Sequence, residues 1–193
     1  MEILGKILGN DGRVKIMRLF LLNRGNGFLT KDIIKRSRIS PLVARRELRL
    51  LSSVGFIKKR GLDWHFNSSF RYGEEFKNLL INSDTLNNQA LLNSFKKVGK
   101  IKLLLIAGVF IKNEDSRVDL LIVGDKMKRS KIEEGIKRIE AEIGAELTYA
   151  IFDTKEFLYR LNMYDKLIRD IIDFPHEVVL QAKELSTQVL NKT

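Results

Sequence analysis

The sequence predicts an α+β chain of two domains, and three observations lead there. Its 193 residues are too many for one small domain and suit two compact units of about 70 to 120 residues. Residues 1–70 carry 15 Lys/Arg against 5 Asp/Glu, a net charge of +10, whereas residues 71–193 carry 20 against 19. The apolar pattern also changes, from helical spacing broken by short basic segments to continuous apolar runs of the buried-strand kind beyond residue 99. These set domains at 1–70 and 99–193, with connecting or dimerising helices over 71–98.

Composition narrows the setting. A chain with 44% hydrophobic and 31% charged residues is that of a folded protein. Cysteine is absent, which excludes a disulfide framework and thiolate metal sites, and only His65 and His176 are present, too few for a histidine-based zinc site. Met1 to Asn10 shows no export signal. The longest apolar run, Leu103 to Ile111, is under half of the roughly 20 residues that cross a bilayer as a helix. The expectation is a cytoplasmic protein with no membrane partner, no metal and no cofactor.

In the first third, Val14, Ile16, Met17, Phe20 and Leu21 recur at helical spacing over Arg13 to Leu22, and Asn23-Arg24-Gly25-Asn26-Gly27 reads as a turn. Thr30 is the expected N-cap of a short second helix to about Ser37, with Leu29 and Ile34 as its hydrophobic staple. Ser40-Pro41 then starts a third, to about Ser53, because serine caps free amides and proline loses no bond at the first helical position. On it Ala44, Leu48 and Leu51 make an inward stripe, and Arg45, Arg46 and Arg49 share another face. After Gly55, the segment Phe56 to Arg60, a turn at Gly61-Leu62-Asp63 and Trp64-His65-Phe66 read as a basic hairpin.

Helix, helix, tight turn, helix and basic hairpin is the order of a winged helix-turn-helix, and Gly27 to Asn67 resembles the small bacterial and archaeal repressors of the ArsR-like kind. The resemblance implies a major-groove helix and a wing. Arg45, Arg46 and Arg49 are then the candidates for guanine contacts, and Lys58, Lys59 and Arg60 for backbone phosphates. Trp64 and Phe66 are expected to pack under the wing and His65 to lie at the surface. The metal sites of ArsR-like proteins need cysteine or histidine clusters, which this sequence lacks.

Further on, Tyr72 to Ile81 and Thr85 to Val98 read as helices separated by Asn82-Ser83-Asp84, where Ser83 or Asp84 can cap the second. Their leucines suit a junction between domains or a seam in a homodimer. Strands are expected over Ile101 to Phe110, Arg117 to Val123 and Leu147 to Phe152. Helices are expected over Ile132 to Ile143, capped by Ser130 and ended by Gly144, then from a Thr154 cap through Asn162, and from Asp165 to Ile172. That order suits a small α/β sheet with helices on at least one face.

The run Leu103-Leu104-Leu105-Ile106-Ala107-Gly108, followed by Arg117-Val118-Asp119-Leu120-Leu121-Ile122-Val123, resembles the minimal nucleotidyltransferase domain of the DNA polymerase β superfamily over about residues 85–180. The resemblance implies a phosphate-holding Gly-Ser after the first strand, an Asp-x-Asp on the second and a third carboxylate, together holding two divalent metals. Gly108 and Asp119 remain as remnants of that motif. Val109 stands in place of the serine, Arg117 in place of the first aspartate, and Tyr149, Ala150 and Ile151 where the third carboxylate belongs. The reading is therefore a domain without catalysis, left to bind a small-molecule or nucleotide ligand or to oligomerise.

A winged helix-turn-helix followed by this RVDLLIVG-bearing domain resembles prokaryotic predicted transcriptional regulators. The expected function is transcription regulation by binding double-stranded DNA. The competing classes are an active nucleotidyltransferase, which intact carboxylates would favour, and an antitoxin-like interaction module, which an exposed apolar groove would favour.

Overall fold

A computed structural model describes residues 3–81, 88–113 and 115–185. The Asn82-Ser83-Asp84 separator, its caps Ser83 and Asp84, and the expected helix start at Thr85 and Leu86 lie outside the described residues. The chain is of mixed helix and strand with two separate sheets, the α+β class. It divides into two compact units, Met1–Leu91 with Ile136–Glu146, and Leu92–Gly135 with Leu147–Thr193.

In the first unit α1 (Ile3–Ile7) precedes α2 (Asp11–Leu22), which begins two residues earlier than its apolar pattern indicates because the Asn10 side chain accepts from the Gly12 amide at 2.7 Å. The turn after α2 contains a two-residue strand, β1 (Gly27–Phe28), that the sequence did not announce. At the start of α3 (Thr30–Ser37) the cap position belongs to Leu29, which offers no side-chain acceptor, so Thr30 is not the N-cap. Its hydroxyl instead accepts from Trp64 Nε1 at 3.1 Å. Helix α4 (Pro41–Ser53) begins as expected, with Ser40 Oγ accepting from the Val43 amide at 3.3 Å and Pro41 in the first turn.

Strands β2 (Ile57–Arg60) and β3 (Asp63–Phe66) form the hairpin, and β1 pairs with the outer side of β3 to give an antiparallel sheet in the order β1-β3-β2. Helix α5 (Gly73–Ile81) belongs to the same core: Leu80 is buried and Phe76 and Ile81 pack with Val14, Phe20, Ile33, Leu48 and Phe56. Phe56 meets Phe66, Phe70 and Phe76 edge to face. Amid these apolar groups Arg18 is fully buried, with Nε donating to the Leu80 carbonyl at 2.8 Å and Nη1 to that of Glu142 at 3.1 Å. A buried guanidinium needs such acceptors, since an unpaired charge there would be costly.

Helix α6 (Asn88–Ser94) ends four residues before the expected Val98. In the second unit β4 (Lys100–Ile106) ends before Gly108–Phe110, a single 3-10 turn rather than more strand. Strand β5 (Leu120–Asp125) starts three residues later than expected, leaving Arg117 and Asp119 on the loop before it. Then come α7 (Arg129–Ile143), of which the part from Ile136 on belongs to the first unit, β6 (Tyr149–Asp153), α8 (Thr154–Asn162), α9 (Lys166–Asp173) and β7 (Glu177–Gln181). The cap of α8 is Asp153, whose carboxylate accepts from the Glu156 amide at 2.8 Å, and not Thr154.

The sheet order is β6-β5-β4-β7, with β5 and β6 parallel and the other pairs antiparallel. Phe157 and Leu161 of α8 and Ile168 and Ile171 of α9 pack against Leu103, Leu105, Leu121 and Val123. Leu104, Leu120 and Ile122, of opposite parity, are also buried, which is why these strands read as unbroken apolar runs. Among the described residues of 72–98, Leu80, Leu91, Phe95 and Val98 are buried, while Leu79 is 46% exposed. Among the described residues no helix is long and apolar enough to cross a membrane.

Candidate nucleic-acid interface

The basic face of the first unit is built on α4. Ala44, Leu48 and Leu51 turn inward as the spacing indicates, which obliges residues half a turn away to face out. Arg45, Arg46 and Arg49 are all exposed. They are not equivalent. Arg46 Nε lies 2.9 Å from Glu47 Oε1, and the Glu47 carboxylate, fully buried, also takes Arg13 Nε at 2.7 Å on Oε2. Arg45 and Arg49 form no ion pair with any described residue, so their guanidinium forks are free to bond another molecule.

The hairpin carries the other three predicted cations, on two faces. Strand pairing sets Lys59 opposite Trp64 and Lys58 opposite His65. Lys59 Nζ sits 5.6 Å from the centre of the Trp64 ring, and the indole is in turn held by Thr30. That arrangement orients an exposed ammonium over an aromatic face. Lys58 is half-buried, with Nζ 3.3 Å from Asn67 Oδ1, and Arg60 is exposed beside the Gly61-Leu62 turn. Phe66 is buried and Trp64 half-buried, under the hairpin as the alternation indicates. His65 is half-buried and faces β1, where a Cβ on Gly27 would come within 2.4 Å of its ring.

Sequence reasoning did not single out the Arg13–Glu47 pair, nor Leu42, which is 80% exposed on the same side of α4 as the arginines. Leu42 was visible as an apolar residue off the Ala44-Leu48-Leu51 stripe. A glutamate held from inside by an arginine 34 positions away carries no local signature.

The motif remnants lie in the second unit. Asp119 Oδ1 accepts from the Val109 amide and Oδ2 from the Thr148 amide, both at 2.8 Å, so each oxygen ties a separate stretch of backbone. Gly108 adopts φ +53°, and a Cβ there would fall 2.0 Å from Asp119 Oδ1. Glycine is needed for the conformation and again for the contact. Arg117 Nε lies 3.0 Å from Asp170 Oδ2 on α9. This donor set does not fit two divalent metals: the one carboxylate at the motif is engaged with amides, and its neighbour is a cation already paired to an acid. Among the described residues no group of three His, Asp or Glu side chains could hold a metal ion.

Elsewhere in that unit, Lys102 Nζ bridges Asp125 at 2.9 Å and Glu184 at 2.7 Å. The proximity of Thr154 and of the Lys102 ammonium holds the Asp125 carboxyl down to about 2, and Lys102 likewise lowers Glu184. No family model matches the chain, and comparison with curated proteins and with solved structures finds no match.

Proposed function

We propose that the protein is a transcriptional regulator that binds double-stranded DNA through a winged helix-turn-helix formed by α2, α3, α4 and the β2–β3 hairpin. The observation that carries this reading is the exposed face of α4, where Arg45 and Arg49 pair with no described acid within a region of net charge +10. A guanidinium fork matches the O6 and N7 acceptors of guanine, and a major groove accepts one helix. Lys59 and Arg60 on the hairpin supply flanking positive charge for phosphates.

The second unit acts in this reading as a nucleotidyltransferase-like domain without phosphoryl transfer, which is supported by the engagement of both Asp119 oxygens with backbone amides. It is left to bind a ligand or to join subunits. The test is selection of random duplex DNA by the full-length protein, followed by salt titration. Enrichment of a defined sequence with log K falling linearly in log[salt] is expected. Recovery of no sequence above background would reject the proposal.

A further inference from the structure

The geometry points to Leu42 as a reader of a thymine methyl group, a specificity contact that rests on the DNA-binding reading above. Leu42 is the second residue of α4 and at 80% exposure is more open than any other large apolar side chain among the described residues. At 100° per residue it lies within about 60° of Arg45, Arg46 and Arg49 around the helix axis, nearest in angle to Arg49. It is thus an apolar group at the middle of an otherwise cationic face. Placed there, it gains nothing from the core, since Ala44, Leu48 and Leu51 supply the inward stripe without it.

A major groove offers one apolar feature, the C5-methyl of thymine, and the N-terminal residues of a recognition helix approach base edges. Arg45 follows by three residues, about 4.5 Å along the axis, so the thymine should lie about one to two base pairs from a guanine read by that arginine.

The test uses the full-length protein and an operator obtained by selection from random duplexes. Each thymine is replaced in turn by deoxyuridine, which removes the methyl and keeps every hydrogen-bonding group. One replacement should weaken wild-type binding about fourfold, the size expected for one buried methyl. The same replacement should have no effect on Leu42→Ala and should keep its full effect on Arg45→Ala. Equal binding of wild type to every substituted operator, or a penalty that persists in Leu42→Ala, would overturn the Leu42 assignment while leaving DNA binding intact. Failure to select any operator would instead reject the DNA-binding reading on which it stands. Leu42 is open to solvent, so its truncation should leave the thermal melt unchanged, and a lowered melt would equally count against a surface contact role.

Discussion

Arg13 on α2 and Glu47 on α4 are joined at 2.7 Å through a carboxylate with no solvent exposure, and the same carboxylate holds Arg46 at the surface. One buried acid therefore links the packing of the first unit to the set of cations on its outer face. Glu47→Ala leaves the Arg13 guanidinium without its partner, and a loss of about 3 kcal/mol is expected, the lower end for a broken buried pair because Arg13 is partly exposed. Arg46→Ala should cost less, about 1 kcal/mol, because it takes the donor from one oxygen of the buried carboxylate but leaves the Arg13 bond in place. Urea melts of the two variants check the contrast.

The same pair sets Arg46 apart from Arg45 and Arg49, and under the proposed DNA binding the three variants should differ. Arg45→Ala and Arg49→Ala should each cost about 1 to 3 kcal/mol of DNA affinity if bidentate to guanine, and should relax preference at one base position. Arg46→Ala should change preference least, because Glu47 holds its guanidinium. Lys59→Ala and Arg60→Ala should weaken all sequences alike and flatten the salt dependence by about one unit for each phosphate no longer neutralised. Binding profiles over a randomised operator decide it: uniform losses without changed preference in Arg45→Ala and Arg49→Ala would mean that α4 positions the protein without reading bases.

A fragment ending at residue 70 should fold poorly. It lacks Phe76 and Leu80, which complete the core around Phe56, and it lacks the Leu80 and Glu142 carbonyls that accept from buried Arg18. Circular dichroism and a urea melt of residues 1–70 should show no cooperative transition comparable to that of the full chain. A sharp, stable transition would show that the core closes without α5.

Asp119→Ala is expected to destabilise the second unit by about 2 kcal/mol, by releasing the Val109 and Thr148 amides from their acceptor. Gly108→Ala should be at least as harmful, since it meets both the positive φ and Asp119 Oδ1. Incubation of the wild type with labelled nucleoside triphosphates and Mg²⁺ or Mn²⁺ in cell extract should give no transfer. Labelling abolished by Asp119→Ala in a still-folded variant would restore the catalytic reading.

Acid should act on the second unit through Asp125. Its folded-state value of about 2 lies below the roughly 3.9 of an unfolded aspartate, so its stabilising contribution is present above about pH 4 and is lost as pH falls toward 2. Glu184, lowered by the same lysine, adds to that slope. Asp125→Asn should flatten the dependence of stability on pH between about 4 and 2. Identical acid profiles for wild type and variant would show that other carboxylates set it.

Helices with a strong cap or stripe were legible in the sequence. Ser40-Pro41 marked the start of α4, and Ala44, Leu48 and Leu51 determined which way its arginines face. Thr30 was misleading because a threonine before a helix can satisfy a distant indole as readily as a nearby amide. Strand β1 escaped notice because Asn-Gly sequences read as turns and two residues give no alternation. Strand β7 follows Pro175 with too few residues to set a period. The late start of β5 has another cause: Asp119 turns its carboxylate to loop amides. Glu47 and Arg18 were hidden for a shared reason, since a charged side chain is taken to be exposed until the partner that buries it is known.

The pairing of β1 with β3 also bears on the calorimetry of binding. Gly27 and Phe28 hold His65 and Trp64 from the side away from β2, so β3 is the central strand of a three-stranded sheet rather than half of a loose ribbon. A wing already ordered gives up little chain entropy when it meets a duplex. If the first unit binds DNA as proposed, that binding should therefore lack the large negative heat-capacity change of coupled folding, which calorimetry at several temperatures would read.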